Sequence, residues 1–280
     1  MIRYLFKITQ TNQRFEIHPH IGFQLAALAF LTLDRQMTLD PEAFQFGEPG
    51  KKSQLYAVRG LSGSESVHNV KVIRMHGVMT MSGDLCSYGM EDYGRMFKRA
   101  YADPNVHAIV AEACSPGGES MYTETLAEIV ANSPKPVVGW VNQMACSAAY
   151  RIISGADEIL LSGPSAEVGS IGTLISYLDF TRYLRDNGVD VVQMIASRSK
   201  HKRKYNFHEP SAEDRKLIIE EYIDPSNELF IEQVKRLRPG MEEEVFDADI
   251  YMGDAALKVK LADGYATFEE AIEKAAMMAL

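Results

Sequence analysis

Ser147 is the first residue whose setting could do chemistry. It lies in the run VNQMACSAAYRIISGADEI, residues 141–159. Strand-like apolar residues lead in, and apolar residues at helical spacing follow. A hydroxyl at such a strand-to-helix turn is either an N-cap or a nucleophile. The second role needs a base within about 3 Å and donors for an oxyanion. Two further turns could supply partners. SPGGES, residues 115–120, holds two glycines that let the backbone approach a ligand, with a helix start beyond them. It suits an oxyanion or another anion, and it equally makes an ordinary Pro-Gly turn. GSIG, residues 169–172, places the Ser170 hydroxyl between glycines.

A base is harder to choose. The histidines are His18, His20, His68, His76, His107, His201 and His208, and none stands in a recognisable motif. His76 and His107 fall in predicted strands and read as core or surface residues. His201 and His208 share a loop with Lys200, Lys202 and Lys204. A lysine base must be neutral, so its pKa has to fall from about 10.4 toward neutrality. Burial and neighbouring positive charge both push that way, and Arg198 and Arg203 supply the second effect. The alternative is a solvated basic loop.

The chain around these residues has 280 positions, 46% of them hydrophobic, and a net charge of −9. That is enough for one large domain, or for one domain with an extension. The acidic total argues against nucleic acid as a partner. Three cysteines, Cys86, Cys114 and Cys146, form no CxxC pair, so neither a disulfide framework nor a zinc site is expected, and a reducing compartment fits. The most apolar window, Gly22 to Leu33, spans about a dozen residues where a membrane crossing needs roughly 20. It reads as a buried or interface helix. No secretory signal is evident at the start.

Residues 1–60 read as an N-terminal extension, with GLSGSES (60–66) as a flexible boundary, and 61–280 as the principal domain. In that domain strands and helices alternate. VKVIRMHGVM, VHAIVAEAC, KPVVGWVNQ, ADEILLS and VDVVQMIA read as strands. The stretch from Thr123 reads as an amphipathic helix, and a helix from Phe180 stops at Gly188. A long helix opens on a Ser211…Asp214 cap and bends around Pro225. This alternation predicts an α/β layered fold.

Taken in order, VKVIRMHGVM, SPGGES, KPVVGWVNQMACSAAYRIISGADEILLSGPSAEVGSIG, VVQMIASRSKHKR and YMGDAALKVKLADG resemble the signal peptide peptidase A (SppA) family of serine peptidases. That family includes membrane-bound bacterial enzymes and phage prohead proteases. The resemblance implies a fold like ClpP and the crotonases, a twisted sheet core with surrounding helices. It implies Ser147 as nucleophile, where the family usually reads A-S-G-G-Y and this chain has Ala148 and Ala149. It implies Lys200 as general base, although a lost glycine leaves Lys202 as the other register. Ser170 matches the serine that hydrogen-bonds the lysine. Gly118 and Ala148 amides would form the oxyanion hole. The resemblance further implies no cofactor or metal, a homo-oligomeric ring, and an extended peptide or protein substrate with small or apolar side chains. With no membrane span in the sequence, the phage type is expected: a cytoplasmic protease acting in an assembling prohead, with scaffold, portal or capsid proteins as partners.

Three other readings are open. A ClpP-type Ser-His peptidase would use a histidine such as His201. A crotonase-like acyl-CoA enzyme would use SPGGES for a thioester oxyanion. A catalytically inactive ring-forming assembly protein would keep the fold and leave the dyad unused.

Overall fold

The computed structural model describes residues 15–17, 53–59, 67–83, 87–199 and 201–280. The apolar window at 22–33, the boundary at 60–66, Cys86 and Lys200 lie outside them.

The core is a parallel sheet. β3 (Val67–His76), β4 (Ala108–Ser115), β6 (Val137–Cys146), β7 (Glu158–Leu161) and β10 (Gly264–Tyr265) pair side by side in that order. β2 (Ser53–Arg59) closes the β3 edge antiparallel. Part of the expected extension therefore belongs to this sheet. β4 is central and buried at nearly every position, as a parallel strand covered on both faces must be. Its run AIVAEACS has apolar residues pointing both ways.

Side chains alternate between two cores. Ile73, Met75, Ile109, Ala111 and Val141 face a core shared with α1 (Met90–Ala102), α2 (Thr123–Ala131), α3 (Ala148–Ile153) and α6 (Asp224–Leu237). Val70, Val72, Val110, Val138 and Trp140 face the C-terminal helix α8 (Phe268–Met277). Trp140 donates its indole N–H to the Ala266 carbonyl at 2.9 Å, joining the sheet to the turn before that helix.

β6 is long enough to serve two neighbours. Its first half pairs with β7 and its last residues pair with β8 (Glu167–Gly169). β8 in turn pairs antiparallel with β9 (Ile250–Met252), which leads directly into α7 (Gly253–Lys258).

The helix expected after Phe180 is α4 (Thr181–Asp186), with Gly188 at φ +75 beyond it. Ser211 caps α5 (Ala212–Ile218): its hydroxyl accepts from Asp214 N–H and the Asp214 carboxylate accepts from Ser211 N–H. A π-helical turn at Ile219–Ile223 separates α5 from α6. Pro225 explains it. The proline has no N–H, and its ring crowds the carbonyl four residues back, so the chain inserts a wider turn.

One element departs from expectation. Residues 189–196 were expected as a strand, but they form none. Val192 is 72% exposed and Met194 94%. A strand needs a neighbour to receive its backbone N–H and C=O groups, and among the described residues none is paired with this stretch.

Candidate active site

Ser147 leaves β6 and starts α3. It stands at the N-cap position, yet its side chain caps nothing. Its backbone sits at φ 55, ψ −122, a region that a residue with a Cβ rarely occupies and that costs on the order of 1–3 kcal/mol. The surroundings impose this geometry. Cys146 pairs with Gly169, Ser147 N–H donates to the Gly169 carbonyl at 2.8 Å, and Ser147 C=O accepts from Arg151 N–H at 2.9 Å. Among the described residues the hydroxyl has only a long 3.5 Å contact, with the Gly172 carbonyl, weak at that distance. The N-cap reading therefore fails on geometry.

The pairing puts Ser170 next to Ser147, since each follows a paired residue. Ser170 is buried, at φ 52, and donates its N–H to the Asp249 carbonyl at 2.7 Å. Gly169, at φ +107, has no room for a side chain: an added Cβ would lie 2.6 Å from the Asp249 oxygen.

SPGGES is the third wall. Ser115 stands beside Ala145 in the β4–β6 register, and α3 packs against β5 (Gly117–Glu119). Gly117 N–H donates to the Ser115 hydroxyl at 3.1 Å, and the Glu119 carboxylate accepts from Met81 N–H at 2.8 Å. On one edge of β5, Met79 N–H donates to Gly117 C=O and Glu119 N–H donates to Met79 C=O, each at 2.8 Å. A Cβ on Gly118 would fall 1.9 Å from the Met79 oxygen. Gly118→Ala is accordingly expected to cost about 2–3 kcal/mol, seen as a fall of about 5–10 °C in Tm. An unchanged melting curve would refute this account of the turn.

Ser147, Ser170, Ala148 and the Gly117–Gly118 turn thus meet at the carboxyl ends of β4, β6 and β8. Ala148 N–H lies in the first turn of α3, where the helix itself offers no acceptor. The loop in which a base is expected is described on either side of Lys200. His201 and Lys202 are exposed. Lys204 pairs with Glu221, and that hydrogen bond raises its pKa, which keeps it charged and unsuited to act as a base. Among the other histidines, His76 contacts Glu112 at 2.9 Å, and His107 Nδ1 accepts from Asn69 N–H at 3.0 Å. Both serve the sheet. Cys146 cannot be a rival nucleophile: burial, helped by the charge of Glu167, drives its thiol far above its usual range.

Two buried charged groups were not anticipated. Arg151 stands in the all-buried helix α3. Its Nε donates to Gln233 Oε1 at 2.6 Å and its guanidinium lies 5.0 Å from the Phe230 ring centre. Gln233 in turn donates to the Glu128 carboxylate at 2.7 Å. This chain ties α3, and so Ser147, to α2 and α6. Glu112 lies in the middle of β4, paired with Arg74 Nε at 2.8 Å and His76 Nε2 at 2.9 Å, and accepting from Asn142 at 3.0 Å. A charge inside an otherwise apolar strand, as in AIVAEACS, was the available signal for it.

Glu112 also gives a pH signature. Burial pushes its carboxyl up, but the hydrogen bonds from His76 and Asn142 and the charges of His76 and Arg74 bring it below its usual value. A depressed carboxylate adds stability above the unfolded value of about 4.3, and that stability disappears as pH falls through the folded value. Thermal melts from pH 7 to 3 should show this loss in the wild type and a flatter profile in Glu112→Gln. Parallel profiles would refute it.

Residues 130–279 match peptidase family S49. The chain belongs to that family. Ser147 and Ser170 fall inside the matched region, and Gly118 lies just before it. The capsid assembly protease C of Escherichia phage lambda is 27% identical over 75% of this chain and 51% of its own length. The putative signal peptide peptidase SppA of Enterococcus faecium is 26% identical over 75% of this chain and 64% of its own length. The chain spans about half to two thirds of the length of these relatives. A ClpP1 mutant from Listeria monocytogenes aligns at TM-score 0.46 and 13% identity, over 72% of this chain and 94% of that one. Among the described residues no helix is long and apolar enough to cross a membrane.

Proposed function

We propose that this S49 member is a serine endopeptidase working through a Ser147–Lys200 dyad on extended protein segments. The observation that carries it is the strained Ser147 elbow, whose hydroxyl is left out of capping and set beside Ser170 and the Gly118 turn. Strain that the surrounding fold overdetermines is a mark of a working site.

In this reading neutral Lys200 takes the Ser147 proton, with Ser170 hydrogen-bonded to the amine. The alkoxide attacks the peptide carbonyl. Gly118 and Ala148 N–H groups hold the oxyanion, each worth about 3–4 kcal/mol in the transition state. Lys200 returns the proton to the leaving amine. Water, deprotonated by the same lysine, then hydrolyses the acyl-enzyme. A substrate would bind as an added strand along the edge of β5 opposite Met79.

The same reading takes 61–280 as the peptidase unit, with 1–60 as an extension that lends β2 to its sheet edge, and assigns a prohead role with scaffold, portal or capsid proteins as substrates. Similarity to the lambda capsid assembly protease supports that role. The exposed apolar side chains at Val192 and Met194 support assembly into a ring, with a neighbouring copy against the base-bearing loop.

The test is a fluorophosphonate probe. It should label the wild type at Ser147 and leave Ser147→Ala unlabelled. Equal labelling of both proteins, or of neither, rejects the reading.

A further inference from the structure

β5 has two edges, and the chain fills both. Met79 takes one, as a parallel bridge to Gly118. The other is taken by β1, Phe15–Ile17, which runs antiparallel with Phe15 opposite Glu119, Glu16 opposite Gly118 and Ile17 opposite Gly117.

The direction of each backbone group follows from these pairings. Gly117 C=O and Glu119 N–H point toward Met79. Successive peptide groups of a strand point to opposite edges. The N–H and C=O of Gly118 therefore face Glu16. In an antiparallel ladder a pair placed this way exchanges both backbone bonds, so the Glu16 carbonyl sits where the Gly118 amide is aimed. That amide is the one assigned to the oxyanion.

We infer that β1 is a built-in competitor, a segment of the chain that occupies the substrate-binding edge of β5 and holds the peptidase in a blocked state. The inhibitory consequence rests on the peptidase reading. The occupancy of the edge does not. The Met79 edge is closed, so an extended substrate and β1 exclude each other. The contact spans three residues, and a two-stranded pairing that short is marginal on its own. Its tether to the domain keeps β1 at an effective concentration on the order of mM. Substrate must therefore displace it, and activation corresponds to its release or removal.

Glu16→Pro in the full-length chain tests this, because it deletes the N–H that faces Gly118 C=O. The Gly118 amide should exchange its hydrogen at least about tenfold faster, and kcat/KM for an extended peptide should rise at least about tenfold. Added peptide TNQRFEIHPH (residues 11–20) should slow the variant again, and the same peptide with proline at the Glu16 position should not. If proline impairs folding, Phe15→Gly combined with Ile17→Gly weakens the strand more gently and should give the same shifts. Unchanged Gly118 exchange overturns the occupancy. Faster exchange with unchanged kcat/KM in a protein whose Ser147 labels normally overturns the inhibition. Absence of Ser147 labelling in both proteins rejects the peptidase reading instead, and the exchange measurement still decides whether β1 covers the edge.

Discussion

Replacing Ser147 by alanine will lower the cleavage of an extended peptide by about 10⁴-fold or more while leaving the fold intact. Loss of a nucleophile removes the covalent route entirely, and what survives is binding and oxyanion stabilisation. Stability should hardly move. Alanine bears the same Cβ at φ 55, and among the described residues the deleted hydroxyl makes only the long contact to Gly172. The measurements are peptide turnover and a thermal melt on the same preparation. Retained turnover in a protein that melts like the wild type would remove Ser147 from the mechanism.

Lys200→Ala should cost nearly as much, about 10³–10⁴-fold in kcat, since a serine hydroxyl is a poor nucleophile without a base. Lys202→Ala and His201→Ala should each stay within a few-fold of wild type. Both residues are exposed, and a solvated side chain is not held against the Ser147 hydroxyl. The three variants together settle the lysine register and separate the lysine dyad from a Ser-His arrangement. Activity lost in His201→Ala but kept in Lys200→Ala would replace the dyad with a histidine mechanism. A wild-type rate that climbs with pH toward the alkaline side, as a lysine loses its proton, would accompany the expected result.

Much of this was legible in the chain. The strands around Ile109 and Val138 announce themselves by short apolar runs, AIVA and VVGWV, and Ser211…Asp214 marks its helix start by cap chemistry alone. Ser147 could be placed on a strand-to-helix turn, because small residues and a change of period meet there. Its strain could not be read, because φ at that residue is set by Gly169, 22 positions later. The demand for glycine at 118 likewise comes from Met79, 39 positions earlier. Residues 189–196 show why pattern alone misleads: a short run rich in apolar and β-branched residues, with Val189, Val191, Val192 and Ile195, is strand-like, but a strand also requires a neighbour. Arg151 and Glu112 each put a charge into an otherwise buried segment, and such a charge needs partners, which lie on other elements and are not visible in the local sequence. The pairing of β1 with β5 joins segments about a hundred residues apart and leaves no mark in either.

The widened turn at Ile219–Ile223 has a consequence for how this protein can change. A helix advances about 100° per residue, so losing one residue there to restore regular winding would rotate everything after it by roughly a quarter turn. Phe230 would swing off the core and Gln233 would part from Arg151. Surface loops can lengthen or shorten freely over generations, but this helix is counted out residue by residue, and a deletion within it would be felt at the serine.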